Sequence, residues 1–306
     1  MLKITLMLYR PQDPPDGDPA QMIDLARAAD DAGLHAVAMG EHVALGESLE
    51  NYPYKGGLRQ GQDGCYLEPV ATLGAFAAVT SRVRLSTSVM LAPLRPAVLL
   101  AKQMATLDVL SRGRLEPAFG VGWSREEYAA LGVDFAARRR ILRDNIAACR
   151  AIWGEQPAAF TSETIAFEGI YAMPRPVQAR MPILIGLRAS DANAALIAEV
   201  GDGWEAGPDD SRSVEALREG VAKLRAAFTA AGRDPQTLIV RAYLPLVRAD
   251  DGELDLERSF AAAAPLTEVG VNRFVLSSGG FGRSTSTTAE FTRLIEKIGR
   301  AAAAAG

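Results

Sequence analysis

Histidine is rare in this chain, and one of its two copies stands where a short apolar run ends. The run "AVAM" (36–39) leads directly into Gly40, Glu41 and His42. An imidazole titrates near neutral pH and can donate or accept a proton, so His42 is the first candidate for acid–base catalysis. A lone histidine is more often a hydrogen-bonded structural residue, which is the interpretation we favour for His35. Glu41 is expected to point to the other face, where it can pair with a cation of a neighbouring strand.

Two glycines and a tryptophan form a second candidate site in "FGVGW" (119–123). Glycine inside a strand usually costs stability, so Gly120 and Gly122 need a reason. One reason is packing inside a tapering barrel. The other is close approach by a flat ligand, with Trp123 as a wall of its pocket.

Two further loops have the composition of anion sites. In "GLRAS" (186–190), backbone N–H groups at a helix start and the charge of Arg188 can hold a phosphate, although Ser190 can equally be the N-cap of an ordinary turn. The loop "SSGGFGR" (277–283) is either flexible or completes such a site. A long polar loop (43–66) carries Tyr52, Tyr54 and Tyr66, which either face a ligand or pack the loop itself.

Eight apolar runs alternate with helical segments and would position these residues. The predicted strands are 4–8, 36–39, 84–91, 114–123, 182–186, 202–207, 238–247 and 273–278. Their continuous apolar character fits parallel strands that are buried on both faces. An α/β fold follows, and the count favours a closed (β/α)₈ TIM barrel over a doubly wound open sheet. The proline-bearing stretch 155–180 is predicted to be an irregular insertion before strand 5 of a single domain, 1–306.

The active sites of such barrels lie at the carboxyl ends of the strands. That rule places His42, the glycines of 119–123 and the loop 186–190 on the functional rim. His35 falls on the opposite, structural rim.

The amino-acid composition limits the classes of partner that this protein is expected to bind. The net charge is −4, with no basic face, so nucleic acid is not an expected partner. Cys65 and Cys149 lie far apart without metal-ligand spacing, which disfavours a metal site and suits a reducing compartment. The N-terminal apolar run is too short for a signal peptide, and no stretch is long enough to span a membrane. We expect a soluble cytoplasmic protein.

One segment resembles a known family. The stretch "LLAKQMATLDVLSRGRLEPAFGVGWSREEYAALGVDF" (99–135) is similar to the signature segment of the bacterial luciferase-like monooxygenase superfamily, and "EHV", "PILIG" and "GDGW" follow the expected order. The spacing of "ALGVDF" after "GVGW" resembles the branch of probable coenzyme F420-dependent oxidoreductases.

This resemblance implies a TIM barrel with a planar deazaflavin or flavin held over its mouth, and a homodimer. It implies that His42 acts on the substrate or a reaction intermediate, and that the Ser88–Val89 peptide bond is cis beneath the ring. The residues implied to shape the ring pocket are Ser88, Val89, Gly120, Gly122 and Trp123. Those implied to hold the cofactor phosphate are Gly186, Arg188, Ala189 and Ser190.

Two departures from the family pattern limit what carries over. Relatives usually show Gly-Gly after the fifth strand, whereas this chain has Gly186-Leu187. The sugar-phosphate dehydrogenase branch carries an acidic residue where this chain has Arg125, followed by Glu126 and Glu127. The acid role of that carboxylate therefore does not carry over, and sugar phosphate is not an expected substrate.

Three functions remain open from the sequence. The first is hydride transfer between coenzyme F420 and an unidentified organic substrate. The second is monooxygenation with reduced FMN and oxygen on the same fold. The third is a barrel that binds flavin without turnover.

Overall fold

The computed structural model describes residues 2–8, 18–53, 61–62, 64–281 and 287–305. Within these residues the strands are β1 Ile4–Met7, β2 Ala36–Met39, β3 Arg84–Thr87, β4 Met90–Leu91, β5 Leu115–Glu116, β6 Ala118–Gly120, β7 Ala158–Thr161, β8 Ala166–Ile170, β9 Leu184–Gly186, β10 Gly203–Glu205, β11 Ile239–Tyr243, β12 Val247–Arg248, β13 Leu254–Asp255 and β14 Arg273–Ser277. The α helices are α1 Met22–Asp31, α2 Pro69–Val79, α3 Ala97–Leu110, α4 Arg125–Ala130, α5 Arg138–Trp153, α6 Asp191–Val200, α7 Val214–Ala230, α8 Leu256–Ala261, α9 Ala263–Glu268 and α10 Thr288–Ala304.

Ten of the strands form one parallel sheet in the order β4-β6-β9-β10-β11-β14-β1-β2-β3-β5. At one end of this order β3 pairs with β5, and at the other end β4 pairs with β6. Strands β3 and β4 are two parts of the third predicted strand, and β5 and β6 are two parts of the fourth. The pairings at the two ends of the sheet order therefore join the same two predicted strands. The sheet therefore closes into a ring of eight segments, which confirms the predicted (β/α)₈ barrel.

Two of the eight predicted strands are interrupted rather than continuous. The run 84–91 breaks at Ser88-Val89, whose peptide bond is cis. The run 114–123 breaks at Pro117, which lacks the N–H needed for a ladder hydrogen bond. Hydrophobic patterning treats each run as one continuous strand, so it did not reveal these interruptions.

The insertion before the fifth barrel segment is also more regular than predicted. Strands β7 and β8 form an antiparallel hairpin inside the stretch expected to be irregular. A short turn joins them, in which the Ser162 amide donates to the Ile165 carbonyl over 2.8 Å. The expectation of an irregular segment was wrong here because prolines flank the hairpin on both sides and masked its short strands.

The helices pack around the ring, and several of them begin at a side-chain cap. The Asp18 carboxylate accepts from the Ala20 amide over 2.9 Å, and Ser190 accepts from the Asn193 amide at the start of α6. One apolar core cluster runs from Ile4 to Ala302. Among the described residues, no helix combines the length and the hydropathy that a membrane crossing requires.

Candidate active site

The carboxyl ends of the barrel strands bring most of the predicted site residues to one mouth. His42 follows β2, Val89 lies between β3 and β4, and Trp123 follows β6. The rings of His42 and Trp123 meet edge-on with centroids 5.5 Å apart. The loop 187–190 leaves the same end of β9, beside Gly186.

His42 is paired with a buried carboxylate. Its Nδ1 lies 3.4 Å from Oε2 of Glu127, and the two side chains are 11% and 0% exposed. The other carboxylate oxygen, Oε1, accepts from the Val43 amide over 2.6 Å and from the Ala44 amide over 3.4 Å. A carboxylate in this position fixes the orientation of the imidazole and stabilises a positive charge on it.

Glu127 is the functional candidate that sequence reasoning missed. Ser124 caps α4 by accepting from the Glu127 amide over 3.2 Å, so Glu127 stands at the third helical position of a Ser-x-x-Glu pattern. In a capping box this glutamate would fold back onto the cap residue. Instead its side chain reaches the loop after β2, 85 residues away in sequence. The available signal was a second glutamate beside a glycine-rich strand end.

Arg125 occupies the position where another branch carries its acid. Its guanidinium stacks over the Phe135 ring, 4.4 Å from the centroid. This contact gives Arg125 an aromatic partner on the outer side of α4. The carboxylate at the mouth therefore comes from Glu127, two residues further along.

Aromatic rings surround the imidazole. Tyr66 meets His42 edge-on at 5.1 Å between centroids, and Tyr52 meets Trp123 at 5.2 Å. Burial raises the pKa of Tyr66 to about 12, and the nearby Tyr52 adds to that shift. Tyr54 lies outside the described residues.

The floor of the mouth is built on the Ser88–Val89 peptide. A side-chain carbon on Gly186 would come within 2.7 Å of Val89 Cγ1, and one on Gly120 would overlap Val89 Cγ2. Gly120 and Gly186 therefore leave room for Val89, which is the packing explanation rather than direct contact with a flat ligand. Gly122 has a positive φ of 64° and lies against Leu91.

A buried polar network supports this floor from inside the barrel. The Ser88 hydroxyl donates to Glu205 Oε1 over 2.6 Å, and Glu205 also forms an ion pair with Arg241. Arg241 is fully buried and donates to the Ser86 hydroxyl over 2.6 Å and to the Thr87 carbonyl over 2.5 Å. A buried charge pair with its remaining donors satisfied holds its neighbours in one geometry.

Glu41 has a structural role on the other face, as expected. Its carboxylate accepts from both terminal nitrogens of Arg95, over 2.5 and 3.0 Å, and from the Leu91 amide over 2.7 Å. Arg95 also donates to Glu68 over 2.7 Å. This bidentate contact fastens the segment after β4 to the end of β2.

The loop predicted to hold phosphate is braced by its own carbonyls. The Leu187 carbonyl accepts from the Trp204 indole over 2.8 Å, and the Arg188 carbonyl accepts from Asn193 Nδ2 over 2.7 Å. Arg188 itself is exposed, and Ser190 caps α6. The loop is thus fixed in shape with its cation on the surface.

A carboxylate already faces this loop. Asp210 is half-buried, lies in the field of Arg188 and accepts from the backbone amides of Ala189 and Gly207. Burial is the main cause of its raised pKa, and those contacts oppose the shift. Sequence reasoning missed Asp210 because it follows a different strand, β10.

The loop after β14 is packed rather than open where it is described. Ser278–Gly280 form a short 3₁₀ turn, and the Gly280 carbonyl accepts from Arg248 over 2.6 Å. Phe281 is fully buried. Arg283, the cation predicted for this loop, lies outside the described residues.

The family follows from a match along nearly the whole chain. The model of the luciferase-like monooxygenase family matches residues 3–305. The chain belongs to this family. This family is enzymatic.

Relatives in sequence cover part of the chain. An uncharacterised protein of Mycobacterium tuberculosis is 40% identical over 174 residues, which is 57% of this chain and 60% of that protein. An FMNH(2)-dependent dimethylsulfone monooxygenase of Pseudomonas fluorescens is 31% identical over 166 residues, 53% of this chain and 44% of the relative. The chain thus aligns with less than two thirds of either relative's length.

Solved structures match over almost the full length. Monooxygenase RslO1 from Streptomyces bottropensis superposes with a TM-score of 0.80 at 20% identity, over 98% of both chains. An F420-dependent secondary alcohol dehydrogenase superposes with a TM-score of 0.72 at 16% identity, over 97% of this chain and 99% of that one. At these identities the likeness establishes the fold, in agreement with the barrel described above.

Proposed function

We propose that this protein is an oxidoreductase that moves a hydride between coenzyme F420 and a small organic substrate. The observation that carries the proposal is the buried His42–Glu127 pair at the mouth, where aromatic rings flank the imidazole. An imidazole held by a carboxylate is suited to take or give the proton that accompanies hydride transfer.

The residues present fit a planar cofactor. Val89, seated against Gly120 and Gly186, gives an apolar floor with no side chain rising from either glycine. Trp123 provides an aromatic wall, and Arg188 beside the N-terminal end of α6 offers a cation and the positive end of a helix dipole for a phosphate. When bound, the cofactor supplies the hydride chemistry, and the protein supplies orientation and electrostatics.

The side chains of the protein would then handle the proton, orient the imidazole and exclude water. His42 turns Nδ1 to Glu127, which leaves Nε2 to hold or move a proton at the substrate. Glu127 keeps the ring in place and balances its charge. Trp123 and Tyr66 exclude water from around the imidazole, which strengthens both effects.

A second candidate is monooxygenation with reduced FMN. It is favoured by the 31% identity to the FMNH(2)-dependent dimethylsulfone monooxygenase. The two candidates use the same floor and wall, so they differ in the cofactor and in oxygen consumption. A flavin-binding barrel without turnover is a weaker alternative, because it leaves the buried His42–Glu127 pair without a purpose.

A competitive titration separates these functions. Purified protein is titrated with F420 and with FMN, each oxidised and reduced, while absorbance and fluorescence report binding and an electrode reports oxygen. We expect saturable F420 binding and no oxygen uptake. Tight FMN binding with oxygen uptake and no F420 binding would replace the first function by the second. Binding without turnover on a wide substrate panel would favour the third.

We also propose that the active form is a cytoplasmic homodimer, as the resemblance implies. Helix α3 supports the dimer, because four of its large apolar side chains are exposed: Val98, Leu99, Val109 and Leu110. Light scattering coupled to size exclusion tests this, and a monomer mass at micromolar concentration would reject it.

A further inference from the structure

One buried hydroxyl at the mouth has no hydrogen-bond partner. The Oη atom of Tyr66 is inaccessible to solvent, and no described residue donates to it or accepts from it. Buried side-chain polar atoms in folded proteins are almost always paired, so each exception asks for a missing partner. A ligand or a bound water at the mouth would supply that partner.

The position of Tyr66 indicates which kind of partner is missing. Its ring meets the His42 ring edge-on at 5.1 Å, and Trp123 meets the same imidazole at 5.5 Å. A molecule that sits against His42 therefore also lies beside the Tyr66 ring. Aromatic surfaces form much of its surroundings, which suits a substrate with an apolar body.

Charge narrows the class of that substrate. The phenol stays protonated through the neutral range, because its pKa is about 12, and so it can donate a hydrogen bond. The Glu127 carboxylate lies 3.4 Å from the same imidazole and disfavours a second negative charge there. A neutral oxygen fits this arrangement better than a carboxylate or a phosphate.

We propose that the Tyr66 hydroxyl donates a hydrogen bond to a neutral carbonyl or hydroxyl oxygen of the substrate. The inference rests on the proposed function, since it assigns the substrate class of that same site. Tyr66 then selects aldehydes, ketones or alcohols with apolar bodies over hydrocarbons of the same shape, which would leave its hydroxyl unpaired.

A matched pair of probes tests the role of Tyr66. Cyclohexanone and methylenecyclohexane have nearly the same shape, but only the first carries an oxygen. Calorimetry on the wild type is expected to show about tenfold tighter binding of the ketone. Tyr66→Phe keeps the ring and should lose this preference. The exposed Tyr171, changed to Phe in the same way, is the control and should keep it.

Two results would overturn the inference: a wild type without preference for the ketone, or a preference that survives in Tyr66→Phe. Circular dichroism of each variant checks its folding. F420 and FMN titrations of the same variants keep the two proposals separate. If neither cofactor binds the wild type, the proposed function fails, while the ketone preference still decides the role of Tyr66.

Discussion

The two ends of the barrel each hold one histidine beside one buried glutamate, in different surroundings. At the mouth, His42 Nδ1 lies 3.4 Å from Glu127, whose other oxygen accepts from two backbone amides. At the base, His35 Nε2 lies 3.9 Å from Glu116. The residue types are the same, so the difference between the ends comes from their neighbours.

Cations surround the pair at the base. Arg84 and Arg273 lie 3.4 and 3.9 Å from the Glu116 carboxylate. Burial raises the pKa of Glu116, but the contact with His35 and the charges of Arg273 and Arg241 outweigh it and lower the pKa to about 2. Burial also lowers the pKa of His35. His35 and Glu116 therefore keep one charge state near neutral pH. At the mouth, by contrast, no lysine or arginine of the described chain forms an ion pair with Glu127.

The largest expected contrast comes from removing each histidine. His42→Gln should reduce turnover by about 10²–10⁴-fold, the range for loss of a general acid or base. His35→Gln keeps the size of the side chain at the structural end and should change turnover by less than about threefold. Steady-state rates with the cofactor identified by titration measure both. Equal losses in the two variants would remove the functional distinction between the ends.

A substitution at the base of the barrel should reduce stability rather than turnover. Glu116→Gln leaves Arg84 and Arg273 without their carboxylate and should cost about 3–5 kcal/mol of unfolding free energy. The folded pKa of about 2 lies below the ordinary 4.5, so this stability is present above pH 4.5 and is lost as pH falls towards 2. Urea unfolding from pH 3 to 7 should show a weaker pH dependence in the variant than in the wild type. Parallel curves would contradict the assignment.

At the mouth of the barrel, Gly120 leaves no space for a larger side chain. Gly120→Ala places a carbon in the space of the Val89 side chain and should cost about 1–3 kcal/mol. Gly74→Ala in α2 is the control, since its new carbon would lie 4.0 Å from Leu107, and it should be neutral or stabilising. Thermal unfolding measures both. Adding Val89→Ala to Gly120→Ala should restore stability, and failure to do so would place the strain elsewhere.

The smallest expected effect concerns Asp210. Asp210→Asn removes a negative charge beside Arg188 and Ala189 and should tighten binding of the phosphate-bearing cofactor about 3–10-fold at pH 7. Because the pKa of Asp210 is raised, the wild type should approach the variant as pH falls through that pKa. Cofactor Kd between pH 4 and 8 measures this. Asp31→Asn, the same charge change at the base, should leave Kd unaffected at every pH.

Sequence patterning predicted the barrel because each strand is a short apolar run between helical segments. It also placed His42 correctly at the end of β2, from strand order alone. Hydrophobic patterning did not predict the breaks at Ser88-Val89 and Pro117, and only the family resemblance implied the cis bond at Ser88-Val89. They depend on contacts between distant strands.

The site was less predictable than the fold for the same reason. Glu127 stands in a Ser-x-x-Glu pattern typical of a helix cap, and its contact with His42 depends on where the fold places the loop after β2. For Gly120 the sequence left barrel packing and ligand approach open, and for Gly186 the resemblance implied a phosphate contact; the close neighbour of both glycines is Val89. Residues that are recognisable by type were found, whereas those defined by a partner far along the chain were not.

The two oxygens of the Glu127 carboxylate serve different partners. One oxygen accepts from the amides of Val43 and Ala44, and the other faces His42, so the position of the loop and the orientation of the imidazole depend on one side chain. A ligand that shifts residues 43–44 therefore also shifts the carboxylate that orients His42. By thermodynamic reciprocity, a ligand that fixes the orientation of His42 also favours the loop position that goes with it.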